Sequence, residues 1–99
     1  MATETSKSIF EWGHATFGEV SDNNRVIARA LLEFEELAEA VAQGASTDVI
    51  AAEAADVAIL LNRLMGLLGR ELADEVDAKM KINRARQWTR NGDGTGRHV

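Results

Sequence analysis

Apolar residues recur at three- and four-residue spacing through most of the chain, and polar or glycine-bearing breaks divide that pattern into helical segments. Ser8 followed by Glu11 fits a capping box, and Ile9, Trp12 and Thr16 then recur at helical spacing up to Gly18, which predicts a short first helix. The polar run Ser21-Asp22-Asn23-Asn24 caps a second helix from about Asn24 to Gln43, with Gly44 as its stop. Ser46, Thr47 and Asp48 open a third that ends near Gly69. Glu71, Asp74 and Glu75 favour the start of a fourth, which continues to about Trp88. No strand-like alternation of useful length and no internal repeat interrupts this series. Short connections between long helices imply antiparallel neighbours, so the expected fold is all-α, an antiparallel four-helix bundle over residues 1–90, followed by a glycine-rich tail at 91–99.

Two acid clusters sit inside the most apolar part of this pattern. Glu35-Glu36-x-x-Glu39 lies on the second helix beside a stripe of Ile27, Leu31, Phe34, Ala38 and Val41, and Glu53-x-x-Asp56 lies on the third. Residues three apart project to one side of a helix, so Glu36 with Glu39, and Glu53 with Asp56, each form a pair. Two facing pairs would make a four-carboxylate pocket. Between Val49 and Leu68 the only charged or amide side chains are Glu53, Asp56, Asn62 and Arg63, and a helix apolar nearly all round is normally buried. Buried carboxylates need cations, donors or protons, and an oxygen-rich pocket suits Mg²⁺, with Mn²⁺ as a substitute. The competing reading of the same spacing is a solvated face of glutamates.

Composition narrows the setting. Hydrophobic residues make up 45% and charged residues 27%, an ordinary globular balance, and the absence of proline favours helix. At 99 residues the chain is one domain with marginal stability on its own. Since the third helix is apolar on more sides than its neighbours can cover, a homodimer or homotetramer is expected. A formal charge of -5 argues against a nucleic-acid polymer as partner, and no apolar run approaches the roughly 18 residues that suggest a membrane span. Without cysteine there is neither a disulfide framework nor a thiolate metal site, which suits the cytoplasm.

On the fourth helix the line through Leu72 and Val76 turns basic, reaching Lys79, Asn83 and Arg86. An inward stripe of this kind can grip an anion, although basic residues near a helix C-terminus also complement its dipole. The tail Asn91 to Val99 lacks the features of a Walker loop or an EF-hand, which leaves a flexible terminus or a flap over the site. His14 and His98 are isolated and are assigned to no metal.

Taken together, Glu35-Glu36-x-x-Glu39, Glu53-x-x-Asp56 and Lys79-x-x-x-Asn83-Arg84, in this order and over nearly the whole chain, resemble the MazG-like all-α nucleoside triphosphate pyrophosphohydrolases. The flanks, Trp12 with Thr16-Phe17-Gly18 and Asn83 to Trp88 with Asp93-Gly94, are similar to the short dATP/dGTP branch. The resemblance implies that Glu36, Glu39, Glu53 and Asp56 hold Mg²⁺, that Glu35 is an extra ligand, a group behind the ligands or the carboxylate that activates the water, with Glu36 also catalytic, and that Lys79, Asn83 and Arg86 bind phosphates. It offers Trp12 as a platform for the base, against a packing role in a small core. The implied reaction is hydrolysis of a (d)NTP, dGTP or dATP among them, to the monophosphate and pyrophosphate. The alternative is a non-catalytic helical module that binds a nucleotide or partner around a structural metal.

Overall fold

Each helix begins where a side-chain oxygen covers an amide that the first turn leaves unpaired. In the computed structural model, which describes residues 3–99, these starts define α1 (Ser6–Phe17), α2 (Asn23–Ala42), α3 (Thr47–Leu67) and α4 (Leu72–Ala85). The four predicted helices are all present, and the first two residues of the domain expected over 1–90 lie outside the described residues. Asp22 accepts from the Asn24 amide at 2.9 Å, and Ser46 from the Val49 amide at 3.3 Å. The cap of α1 differs from expectation. Thr5 is the capping residue, and Ser8 answers it from one turn inside: the Ser8 amide donates to the Thr5 hydroxyl at 3.0 Å, and the Thr5 amide to the Ser8 hydroxyl at 2.8 Å. Glu11, freed from capping, stands 3.9 Å from Lys7.

The fourth helix also stops earlier than predicted. Arg86 is already extended, at ψ 156°, and the Trp88 indole donates to the Asn83 carbonyl at 2.7 Å, covering one of the carbonyls that a helix end exposes. Trp88 then opens β1 (Trp88–Arg90), which pairs antiparallel with β2 (Gly96–His98) in the register Trp88 to His98, Thr89 to Arg97 and Arg90 to Gly96. The tail is therefore a hairpin. Its turn is held by Asp93, which accepts from the Thr95 amide at 2.9 Å and the Thr95 hydroxyl at 2.6 Å. Gly92 and Gly94 take φ of 95° and 91°, in the region that side chains disfavour. Strands of three residues are too short to display alternation, which is why the sequence pattern does not reveal them.

α3 is the element the others share: it packs along α2 and α1 and touches α4 only slightly. Gly66 permits the approach of α1, because a side chain there would meet the ring of Phe10 and the Ser6 carbonyl, 2.9 Å from an added Cβ. Along α2 the side turned inward is Val26, Ala30, Glu33, Leu37 and Ala40, a stripe of small residues with one acid. The larger stripe of Ile27, Leu31, Phe34 and Val41, expected beside the core, is exposed, as are Val76, Met80 and Ile82 of α4. Val76 thus does not point into the protomer as its line with Leu72 suggested. Only Val26 and Ala40 are buried hydrophobic side chains among the residues described. The radius of gyration is 15.7 Å, against about 13 Å for a compact chain of this length. The accessible surface of 7635 Å² exceeds by about 2,000 Å² that expected of a monomer of this mass. No helix among the described residues is long and apolar enough to cross a membrane.

The small core makes one polar junction important. Ser6, fully buried, receives the Leu72 amide on its hydroxyl at 2.8 Å. That hydroxyl lies 2.8 Å from Asn62 Oδ1 and 2.9 Å from Glu71 Oε2, and its single proton serves one of them. The Ser6 amide donates to Glu71 Oε1 at 3.0 Å. Three helices meet there. The donors from Ser6 hold the Glu71 carboxyl below its ordinary value of 4.5. A depressed acid contributes stability that is present above 4.5 and is lost as pH falls through the native value. Glu71→Gln should therefore lower the melting temperature at neutral pH and flatten the acid limb of the stability curve, measured by circular dichroism between pH 3 and 7.

Candidate functional site

The inward stripe of α2 and the acid pair of α3 converge on one point. Glu33 from α2 and Glu53 and Asp56 from α3 each present a carboxylate oxygen within 4.8 Å of the others. Helical spacing explains the α3 half, since residues three apart share a face. Glu33 completes the group because it occupies the position between Ala30 and Leu37 that a core residue would normally fill.

Charge in this cluster is only partly balanced. Arg29, one turn before Glu33, forms an ion pair with it at 2.6 Å, and the Glu33 side chain is 14% exposed. Glu53 Oε2 is buried without any hydrogen-bond partner in the protein. An unpaired buried carboxylate oxygen is costly unless something outside the chain satisfies it. The Glu33 carboxyl is raised above its ordinary value of 4.5, first by a shared hydrogen bond with Glu36, then by burial and by the Glu36 charge, with Arg29 opposing. Three converging carboxylates, with one oxygen that has no partner, could serve as donors to a hard divalent cation. The residues fit such an ion.

The structure distributes the predicted site residues unevenly. Glu53 and Asp56 come together, and Glu36 borders them through Glu33. Glu39 is exposed and accepts from the Gln43 side chain at 3.1 Å, outside the cluster. Glu35 is exposed. The predicted set omits Glu33; its signal was the seven-residue spacing from Val26 and to Ala40, which places it on the same stripe as the buried residues. Lys79 and Arg86 are exposed, and Asn83 is half-buried with its Oδ1 unpartnered. None of these three lines the cavity beside the acids.

That cavity encloses about 460 Å³. Glu33, Asp56 and Arg29 form one part of its lining, and Arg63, Phe17 and Trp12 another, over Ile9, Ile59 and Leu60. Trp12 is 56% exposed rather than packed in the core, and it meets Phe17 edge to face, with ring centroids 5.5 Å apart. An acidic cation site adjoining an aromatic and cationic wall is a suitable arrangement for a phosphorylated, planar ligand.

Comparison with known proteins agrees with this chemistry. A family model described as dATP/dGTP pyrophosphohydrolase matches residues 6–99. A dATP/dGTP diphosphohydrolase of Cyanophage S-2L is 42% identical over 65 residues, covering 66% of this chain and 60% of that protein. A second, from Salmonella phage PMBT28, is 39% identical over 97 residues, covering 97% of this chain and 31% of that protein. The matched segments thus span less than two thirds of either relative. Among solved structures, the Cyanophage S-2L MazG-like pyrophosphohydrolase bound to dGDP and three catalytic Mn²⁺ ions per active site is similar, with a TM-score of 0.72 and 34% identity over 95% of this chain and 92% of that one.

The raised Glu33 carboxyl sets a pH dependence opposite to that of Glu71. Its contribution is fully present below 4.5 and is lost as pH rises through the native value, so the metal-free protein should lose stability over that range. Glu33→Gln should remove that loss, and with it the rise in melting temperature that Mg²⁺ or Mn²⁺ produces over NaCl of equal ionic strength. Scanning fluorimetry across pH, with and without the divalent ion, reads both effects.

Proposed function

The chain belongs to the dATP/dGTP pyrophosphohydrolase family, and from that premise we propose that it is a divalent-metal-dependent enzyme that hydrolyses a deoxynucleoside triphosphate, dGTP or dATP, to the monophosphate and pyrophosphate. The carrying observation is the Glu33, Glu53 and Asp56 cluster, with its unpartnered Glu53 oxygen, at the edge of a cavity of nucleotide size. Mg²⁺, or Mn²⁺ in its place, supplies there the neutralisation of phosphate charge and the acidification of a bound water. Glu33, Glu53 and Asp56 hold the ion on this reading, with Glu36 alongside. Glu35 or Glu36, the neighbouring carboxylates of α2, takes the proton of the attacking water. Water adds to the α-phosphorus, the bond to the bridging oxygen of the β-phosphate breaks, and pyrophosphate leaves.

Lys79, Asn83 and Arg86 hold the leaving phosphates in this proposal, yet they do not line the protomer's own cavity. We place them in the site of a second copy. Residues 79–99 carry a formal charge of +5 and residues 1–78 a charge of -10, so the basic end of one chain complements the acidic cluster of another. The excess accessible surface of about 2,000 Å² and the exposed stripes of α2 and α4 match what a stable interface buries. The assembly is then a homodimer or a dimer of dimers. The alternative, a non-catalytic module with a structural metal, has no observation that favours it.

Purified protein should release pyrophosphate from dGTP or dATP only with Mg²⁺ or Mn²⁺, and Glu53→Gln should abolish turnover. Release of inorganic phosphate and a diphosphate would reject the reaction. Lys79→Ala should reduce kcat/KM at least tenfold, about 1.4 kcal/mol of transition-state binding. Mixing it with inactive Glu53→Gln protein should restore part of the turnover, since one site of each mixed dimer then has both residues. No restoration after subunit exchange would place the site within one chain.

A further inference from the structure

Arg63 has no role in the reaction as described, and its surroundings are unusual. It is half-buried and belongs to no ion pair among the described residues, although the chain is acidic. Its guanidinium carbon lies 5.4 Å from the centroid of the Phe17 ring, a cation–π contact. The hydrogen bonds it donates, to the Gly13 and Gly18 carbonyls, are both long at 3.4 Å, and both leave from Nη2. Nε is buried with no partner. Gly13 makes the position possible: a Cβ there would stand 2.7 Å from Nε and 3.0 Å from Cδ. A bare backbone thus lets a guanidinium cross α1 into the cavity wall, where it is held loosely.

Distance along α3 indicates what it meets. Arg63 is seven residues after Asp56, so it shares that face at about 10 Å along the axis. A nucleotide whose phosphates lie at the carboxylates would reach this wall with its base, beside Arg63 and the edge-to-face pair of Trp12 and Phe17. Resting on the reading of the site as a nucleotide site, we propose that Arg63 is a specificity-determining residue that donates to the N7 and O6 acceptors of guanine. Guanine presents two adjacent acceptors on that edge, which the two Nη ends of the guanidinium satisfy together, Nη2 exchanging its long bonds to the carbonyls for a shorter one while Nε stays buried. Adenine replaces O6 with the N6 amino donor, which faces the fork as donor against donor.

The test separates base recognition from turnover by measuring binding of products. Isothermal titration should give tighter binding of dGMP than dAMP in the presence of Mn²⁺, with 7-deaza-dGMP weakened and dIMP, which keeps both acceptors, close to dGMP. Arg63→Lys keeps the charge without the fork, and Gly13→Ala keeps Arg63 but displaces it. Both should bring the dGMP-to-dAMP ratio near one, a change of about tenfold or more at the 1–3 kcal/mol of a bidentate contact. Circular dichroism identifies any variant that fails to fold, and Gly13→Ala, which favours helix by propensity, then stands as the second measurement. An unchanged ratio in either folded variant, or a parent with no preference between dGMP and dAMP, overturns the proposal. If the parent binds dGMP selectively yet releases no pyrophosphate from dGTP, the hydrolytic reading fails while the assignment of Arg63 stands.

Discussion

The convergence of Glu33, Glu53 and Asp56 between α2 and α3 is the constraint to which the rest of the protomer accommodates. Three carboxylates in one place repel one another and lose hydration, and Arg29 answers only one of them. The helices that carry them must nevertheless lie close. Small residues make this possible: Ala30 and Ala40 on α2, and the alanine-rich first half of α3, allow backbone approach while adding little apolar area. The same choice that brings the acids together therefore leaves the protomer with few buried large side chains. Site geometry and a small core have one cause.

A second set of polar contacts ties the helices together toward the C-terminal end of α3. Ser6, Asn62 and Glu71 tie the starts of α1 and α4 to α3 through short hydrogen bonds, and a buried Ser6 with satisfied partners is a gain where a lone hydroxyl would be a cost. The two clusters respond oppositely to acid. Glu71 loses its contribution as pH falls, whereas Glu33 loses its own as pH rises, so the metal-free protein is opposed from both sides.

The helices were legible in the sequence because caps and glycine stops are local signals that tertiary packing seldom overrides. The two acidic segments were legible for a similar reason, since Glu53 and Asp56 stand out in an apolar run. What the pattern misassigned was the inward side of α2. Ile27, Leu31, Phe34 and Val41 make the larger apolar stripe, and hydrophobicity alone selects it, but the protomer packs α3 against the smaller stripe one residue away. That one-position rotation also concealed Glu33, which lies on the small stripe. The Ser8 cap failed through a different cause: Thr5 offers an equivalent hydroxyl one turn earlier, and a Ser at the third helical position can stand in for the glutamate of a capping box. The hairpin was hidden because its pairing is between Trp88 and His98 across a turn, with too few residues per strand to mark a period.

The rotation of α2 has a consequence for how the parts depend on one another. A helix with two apolar stripes can cover only one within its own chain, and the larger of the two is the one left over. On the proposed assembly that stripe packs against a second copy, and the basic α4 and hairpin of that copy meet the acids that α2 and α3 hold. Folding, assembly and catalysis are then linked through the same two helices, because removing the partner exposes the larger apolar surface and also removes the charges that balance phosphate. A chain of this size gains by the arrangement. On that proposal it would build one cleft from two small cores, and the carboxylates that strain each core alone would become the site that the partner completes.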